Sequence, residues 1–226
     1  MIKIIKVENK DQEKEFVMFP FSLYKGCDYW VPPIISEELE SMDKEKNPVF
    51  ENAEAEFYIA KKDGVTVGRI AAMVNWVEIE EQKKNKLRFG WYDTIDDLEV
   101  SKKLLESVIE FGKKRKLEFV DGPVGFSNMD KAGLLIDGYE ELNTMITWYH
   151  YPYQKEHLKK LGFSKLAEWV EYKIKIFSAE DAPEKVKKFS KIIQQRYELK
   201  VLNFKSRKEI IPCLLYTSDA ADEERG

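Results

Sequence analysis

Cysteine and histidine are scarce in this sequence. Its 226 residues hold two cysteines, Cys27 and Cys213, and two histidines, His150 and His157. Cys213 opens an unusual C-terminal run, so one cysteine remains for the rest of the chain. That excludes an intramolecular disulfide and a cysteine-based metal centre. His150 and His157 read as surface or loop residues, and no metal site is expected. Long apolar runs are also missing. Met1 is followed by Ile-Lys-Ile-Ile-Lys-Val, too short an apolar stretch for a signal peptide. No window approaches the ~18 apolar residues of a membrane span, and the expectation is a cytoplasmic protein. A charge excess is lacking too: 37 Lys and Arg stand against 41 Asp and Glu. Without residues 213–226 the totals are 36 and 37, a net charge of −1. Nothing in that balance draws the chain to nucleic acid. The cluster Lys113-Lys114-Arg115-Lys116 ends a helical pattern, where basic residues suit the dipole.

What the sequence does have is a globular composition, 43% hydrophobic and 35% charged. Aromatic residues make up 13%, so large rings are expected to fill the core. Ile2 to Val7 reads as a strand and Asp11 to Tyr24 as a helix that Pro20 should kink or end. Ile34 to Met42 reads as a short acidic helix. Phe57-Tyr58-Ile59-Ala60 and Val65 to Val74 flank Lys62-Asp63-Gly64, a strong hairpin signal because glycine accepts the positive φ of a tight turn. Trp76 to Lys86 reads as a charged connection and Leu87 to Thr94 as a third strand. Asp96 and Asp97 open a helix in which Val100, Leu104, Val108 and Phe111 share one face. Leu117 to Val120 reads as a short strand, Lys131 to Ile136 as a helical turn, and Thr144 to Trp148 as a strand. Gln154 to Leu161 reads as a helix, Ser164 to Phe177 as a long strand, and Lys200 to Phe204 as one more. A helix begins at Ala182-Pro183-Glu184 with proline at its first position. Val186, Phe189 and Ile193 form its apolar face, which is expected to be partly uncovered.

This order, together with several sequence blocks, resembles the GCN5-related (GNAT) acyltransferases over roughly Ile2 to Phe177. The blocks include Tyr29-Trp30-Val31-Pro32-Pro33, Asn47-Pro48-Val49-Phe50, Ala53-Glu54-Ala55-Glu56 and Gly68-Arg69-Ile70-Ala71. Further on come Phe89-Gly90-Trp91-Tyr92, Gly122-Pro123, Asn128, Gly133-Leu134-Leu135 and Gly162-Phe163. In detail they are similar to a group of bacterial proteins with two such halves in one chain. The resemblance implies an α/β fold, a GNAT-like acyl-CoA N-acyltransferase fold with a mixed central sheet flanked by helices. It implies transfer of an acyl group from acyl-CoA, acetyl-CoA or longer, to an amine of a small-molecule or other acceptor. It also implies domains: 1–177 a GNAT-like domain, 178–212 the start of a second, truncated one. On this expectation the missing C-terminal GNAT-like half is a partner in cis and binds most of the cofactor. Residues 213–226 are set apart. The run Cys213 to Glu223 resembles the in-frame translation of a transposase adapter used in sequencing libraries, and such a tail is expected to pack against nothing.

Three family parts locate candidate site residues. The pantetheine of the cofactor lies along a splayed central strand, and its pyrophosphate sits at a helix start. The strand points to Trp91, Tyr92 and Asp93 for cofactor contact, with Asn128 from the following polar loop. At the pyrophosphate position the family has Gln/Arg-x-x-Gly-x-Gly/Ala, whereas Thr94 to Val100 has neither glycine nor arginine. Asp96, Asp97 and Glu99 stand there instead and should repel a diphosphate. The candidate base is Asp93, whose other reading is an ordinary strand-end residue. The family's tyrosine acid sits in Tyr-x-Lys-x-Gly-Phe, which reads Leu158-Lys159-Lys160-Leu161-Gly162-Phe163 here. Leucine donates no proton, so Tyr151 and Tyr153 become the candidate acids, with packing as the other reading. Asp130, Lys131 and Trp30 are the candidate substrate contacts. Two functions follow: an acyl-CoA-dependent N-acyltransferase, or a non-catalytic half that supports a catalytic second domain.

Overall fold

The structure is a computed structural model that describes residues 1–127, 130–144, 147–174, 178, 180–200 and 202–210. The chain divides into two units, Met1–Val170 and Glu171–Gly226.

The first unit is built on one five-stranded sheet: β1 (Ile2–Lys6), β2 (Ala53–Lys62), β3 (Val65–Asn75), β4 (Lys86–Thr94) and β5 (Phe119–Asp121). They lie side by side in chain order; β1 to β4 pair antiparallel, and β5 runs parallel to β4. Neighbouring parallel strands need a crossover, and the helix between β4 and β5 supplies it. The β2–β3 turn places Asp63 and Gly64 at φ +52° and +84°. Both values are positive, as a tight turn between right-twisted strands demands.

Helix α1 (Lys10–Leu23) and α2 (Ile35–Met42) follow β1; α3 (Trp76–Glu80) lies within the expected connection between β3 and β4. Pro20 sits in the last turn of α1, and the helix stops three residues later. Helix α4 (Leu98–Lys114) begins at the N-cap Asp97, whose carboxylate accepts from Glu99 N–H at 3.0 Å. Its stripe of Val100, Leu104, Val108 and Phe111 packs on Ile70, Leu87 and Phe89, on one face of the sheet. On the opposite face Phe16 and Val17 of α1 and Met42 of α2 pack on Phe57, Ile59 and Met73. The sheet therefore has helices on both faces, and α5 (Pro152–Lys160) adds Leu158 to the α4 side.

One irregularity positions the site. Arg69 of β3 pairs with Asp93 of β4, but Ala71 pairs with Gly90. Two steps on β3 thus face three on β4, and Trp91 takes φ +48°. This bulge bends β4 and re-aims the side chains after it.

Several sequence readings are corrected. Lys131 to Ile136 is not helical: Ala132 bridges Val124 in antiparallel fashion. Thr144, Thr147 and Trp148 lie in no strand, and residues 145–146 fall outside the described residues. The long strand expected from Ser164 onward is absent over residues 164–174, and residues 175–177 are outside the described set. Leu166 and Trp169 are instead exposed. The β-branched and aromatic pattern supplied propensity, but a strand also needs a ladder partner to bond its backbone. In the second unit Lys200 and residues 202–204 form no strand, and Val201 is outside the described residues. Helix α6 (Glu184–Arg196) has Pro183 as its N-cap and not its first helical residue. The expected face of Val186, Phe189 and Ile193 is exposed. The tail 213–226 lies outside the described residues.

Candidate substrate cleft

Behind the bulge, Asp93 and Arg69 meet across the β3–β4 ladder. Arg69 Nε donates to Asp93 Oδ2 at 2.7 Å, with the residues 3% and 5% exposed. Tyr24, which caps the C-terminus of α1, donates its hydroxyl to Asp93 Oδ1 at 2.6 Å. Arg69 Nη1 also donates to Phe16 O at 3.2 Å. Both carboxylate oxygens are therefore engaged, as a buried charge requires. Burial, and then the Asp93 carboxylate, hold the Tyr24 hydroxyl well above its usual pKa, so it stays a donor. With this geometry Asp93 is a fixed negative end of an internal pair. A base would need a free oxygen aimed at the substrate.

Over this floor opens a narrow cleft with a cavity volume of about 20 Å³. Its lining includes Tyr24, Trp30, Glu38, Lys131, Trp148 and Tyr149. Trp30 stacks on Tyr24 at 5.3 Å between ring centroids, and Tyr149 meets Tyr24 edge-on at 5.6 Å. Trp91 lies beneath, 5.9 Å from Trp148, and its indole N–H donates to Glu38 Oε2 at 2.7 Å. The extended Trp30-Val31 link is tied down where Val31 N–H donates to Asn143 Oδ1 at 3.3 Å. His150 is buried, 1% exposed. Burial pushes its pKa down to about 4 against the opposing pull of the Asp93 carboxylate. Leu135 N–H points at its Nδ1, 3.4 Å away, which places the ring proton on Nε2.

A polar row runs along the start of α4. Asp97 pairs with Lys62 at 3.0 Å, a hydrogen bond that lowers its carboxyl pKa. Asp96 Oδ1 lies 3.1 Å from His157 Nε2, and His157 Nδ1 lies 2.8 Å from Ser101 Oγ. Aspartate, histidine and serine in a row suggest nucleophilic catalysis. Here, however, Ser101 is wholly buried and accepts the Tyr92 hydroxyl at 2.9 Å. A nucleophile must reach a substrate, so the row is a seam joining α5 to α4.

The sequence candidates separate accordingly. Asp93, Trp30 and Lys131 come together around the cleft. Trp91 supports it from below through Glu38. Tyr92 faces away: it is buried against Ser101, and burial pushes its hydroxyl up to about 12. Tyr151 packs among Tyr24, Tyr149 and Tyr153 beside the cleft. Tyr153 donates its hydroxyl to Thr94 O at 2.6 Å, and burial raises its pKa. Asp130 is spent on its own loop, where its carboxylate accepts from Ser127 N–H at 2.8 Å. Asn128 lies outside the described residues. Sequence reasoning missed Tyr24, Glu38 and Arg69, and it read His150 and His157 as surface or loop residues, whereas both are buried. Arg69 carried a signal, a charge inside an apolar strand that demands a buried partner.

The acyl-CoA that the resemblance implies does not fit the start of α4. The N-cap there is filled by Asp97, and Asp96 stands beside it. The Asp97 carboxylate is paired with Lys62 and already takes the Glu99 N–H at the helix start, the place where a diphosphate would bind.

No protein-family model matches the sequence. The chain is 31% identical over 167 residues to protein YghO of Escherichia coli K12, covering 72% of this chain and 43% of that protein. It is 24% identical over 174 residues to the bacterial ceramide synthase of Caulobacter vibrioides, covering 76% of this chain and 45% of that protein. The chain thus spans less than half the length of these curated relatives. Among solved structures, it matches an acetyltransferase of the GNAT family from Staphylococcus aureus Mu50 with a TM-score of 0.39 and 17% identity. That match covers 54% of this chain and 73% of the other. The fold is the expected α/β one, a mixed five-stranded sheet flanked by helices. Among the described residues no helix is long and apolar enough to cross a membrane, and no group of three or more His, Cys, Asp or Glu could hold a metal ion.

Proposed function

We propose that this chain is the acceptor-binding part of an N-acyltransferase, and that its cleft receives the amine to be acylated. The observation that carries this is the cleft itself: aromatic walls from Tyr24, Trp30, Trp148 and Tyr149, a carboxylate at Glu38, and the closed Arg69–Asp93 pair as floor. Ring faces and a carboxylate attract an ammonium group, each ring by about 0.5–1 kcal/mol at an exposed site. The name of the Caulobacter relative agrees in chemistry, since a ceramide is the amide of a fatty acid and a long-chain amino alcohol. The bound ammonium first loses one proton to become the nucleophilic amine; the nitrogen then bonds to the acyl carbonyl carbon and loses a second proton as the acyl–sulfur bond breaks, and the leaving thiolate takes up one of the two. This chain's residues orient the amine. The acyl donor, acyl-CoA, is held by the remainder of such a protein, a second GNAT-like half.

Isothermal titration with 2-aminoethanol and octylamine, each against its N-acetyl derivative, tests this reading. The free amines should bind the chain and the N-acetyl compounds should not. Trp30→Ala and Glu38→Gln should each weaken amine binding about three- to fivefold. Equal heats for amine and N-acetyl compound, or none at millimolar ligand, would overturn it.

A further inference from the structure

We infer that the edge of β4 facing β5 is sealed by the chain's own α5, so that this domain holds no acyl donor along that strand. Strand β5 pairs with β4 only from Lys86 to Arg88. Among the described residues no strand lies beside this edge beyond Arg88, and in the fold that the chain resembles a pantetheine lies along such an edge. Here three of its carbonyls are already bonded. Phe89 O accepts Val124 N–H at 2.8 Å, Tyr92 O accepts Gln154 Nε2 at 3.2 Å, and Thr94 O accepts the Tyr153 hydroxyl at 2.6 Å.

These bonds are built in. Gln154 is wholly buried, and its other amide end accepts Tyr151 N–H at 2.8 Å, forming the cap of α5. Pro152 opens the helix at a position where its fixed φ and missing N–H cost nothing. Three residues beyond Gln154, His157 bridges Asp96 and Ser101. The Gln154 side-chain amide thus makes the kind of contact with β4 that the amide of a pantetheine would make. A donor entering this edge must break the bonds of Gln154 and Tyr153 and leave a buried amide unpaired. Separately, the Asp97 carboxylate already takes the Glu99 N–H at the start of α4, where its diphosphate would bind.

The inference rests on the fold and its hydrogen bonds, and not on the amine reading. Failure of amine binding would leave it standing, and donor binding at β4 would overturn it with the cleft unaffected. The test follows backbone amide signals and melting temperature of the full chain with millimolar acetyl-CoA and, separately, pantetheine. Pantetheine carries the amides without the diphosphate, so it probes the seal alone. Neither compound should move the signals of β4 or α5. Saturable shifts there with either one would overturn the inference. Tyr153→Phe and Gln154→Met should each speed amide exchange in β4 about fivefold, the equivalent of one lost hydrogen bond. Unchanged exchange in both variants would also overturn it.

Discussion

Asp93→Asn should lower the stability of the chain by about 3–5 kcal/mol, the usual cost of stranding one partner of a buried ion pair. Arg69 is 3% exposed and has Asp93 as its paired carboxylate, so loss of that charge leaves a guanidinium in a dry interior with only Phe16 O and the neutral amide to serve it. Urea unfolding followed by circular dichroism measures the change. The double variant Asp93→Leu with Arg69→Met should recover most of the loss, because an apolar pair removes both desolvation costs. Tyr24→Phe, which deletes one hydrogen bond to the same carboxylate, should cost about 1 kcal/mol. A loss under about 1 kcal/mol for Asp93→Asn would show the pair to be open to solvent.

Acid should destabilise the chain through His150. In the folded state its pKa is held down to about 4 by burial, against 6.5 for an unburied imidazole. The unfolded chain therefore binds this proton more tightly. The stabilisation is fully present above pH 6.5 and falls as pH drops through the window from 6.5 to 4. Below both values it is gone. The slope is ~1.4 kcal/mol per pH unit, for a total of about 3 kcal/mol. The charged groups that face His150 are Asp93, which favours its protonation, and Arg69, which opposes it. Unfolding free energies of the wild type and His150→Gln between pH 8 and 4 isolate the effect. The wild-type curve should fall more steeply below pH 6.5. Curves of equal slope would place His150 in contact with water.

The sheet and its main helix were legible because their signals are local. Asp63-Gly64 between apolar runs specifies a turn, and the four-residue stripe of α4 behind Asp97 specifies a face and a start. The missing strand after Ser164 shows the limit of such signals. Its residues carry β propensity, but pairing depends on what stands beside them, and propensity does not encode that. The cleft was half legible. Trp30, Asp93 and Lys131 could be named from block order and loop composition. Tyr24 caps α1 and Glu38 lies on α2, far from Asp93 in sequence, and only the packing of those helices against the sheet brings them to it. The Trp91 bulge was equally hidden, since a tryptophan at positive φ has no sequence signature and is held there by the surrounding ladder. Tyr151 and Tyr153 were read as candidate acids. The fold gives Tyr153 a carbonyl to hold and packs Tyr151 against three rings.

The claim that an amine enters the cleft above Arg69 and Asp93 is tested most directly by the indole N–H signals of the five tryptophans during titration with octylamine. Trp30, Trp91 and Trp148 border or underlie the cleft, whereas Trp76 and Trp169 do not line it. The account predicts saturable shifts of the first three with one dissociation constant, while the other two stay in place. Shifts of all five together, or movement of Trp76 and Trp169 alone, would contradict it.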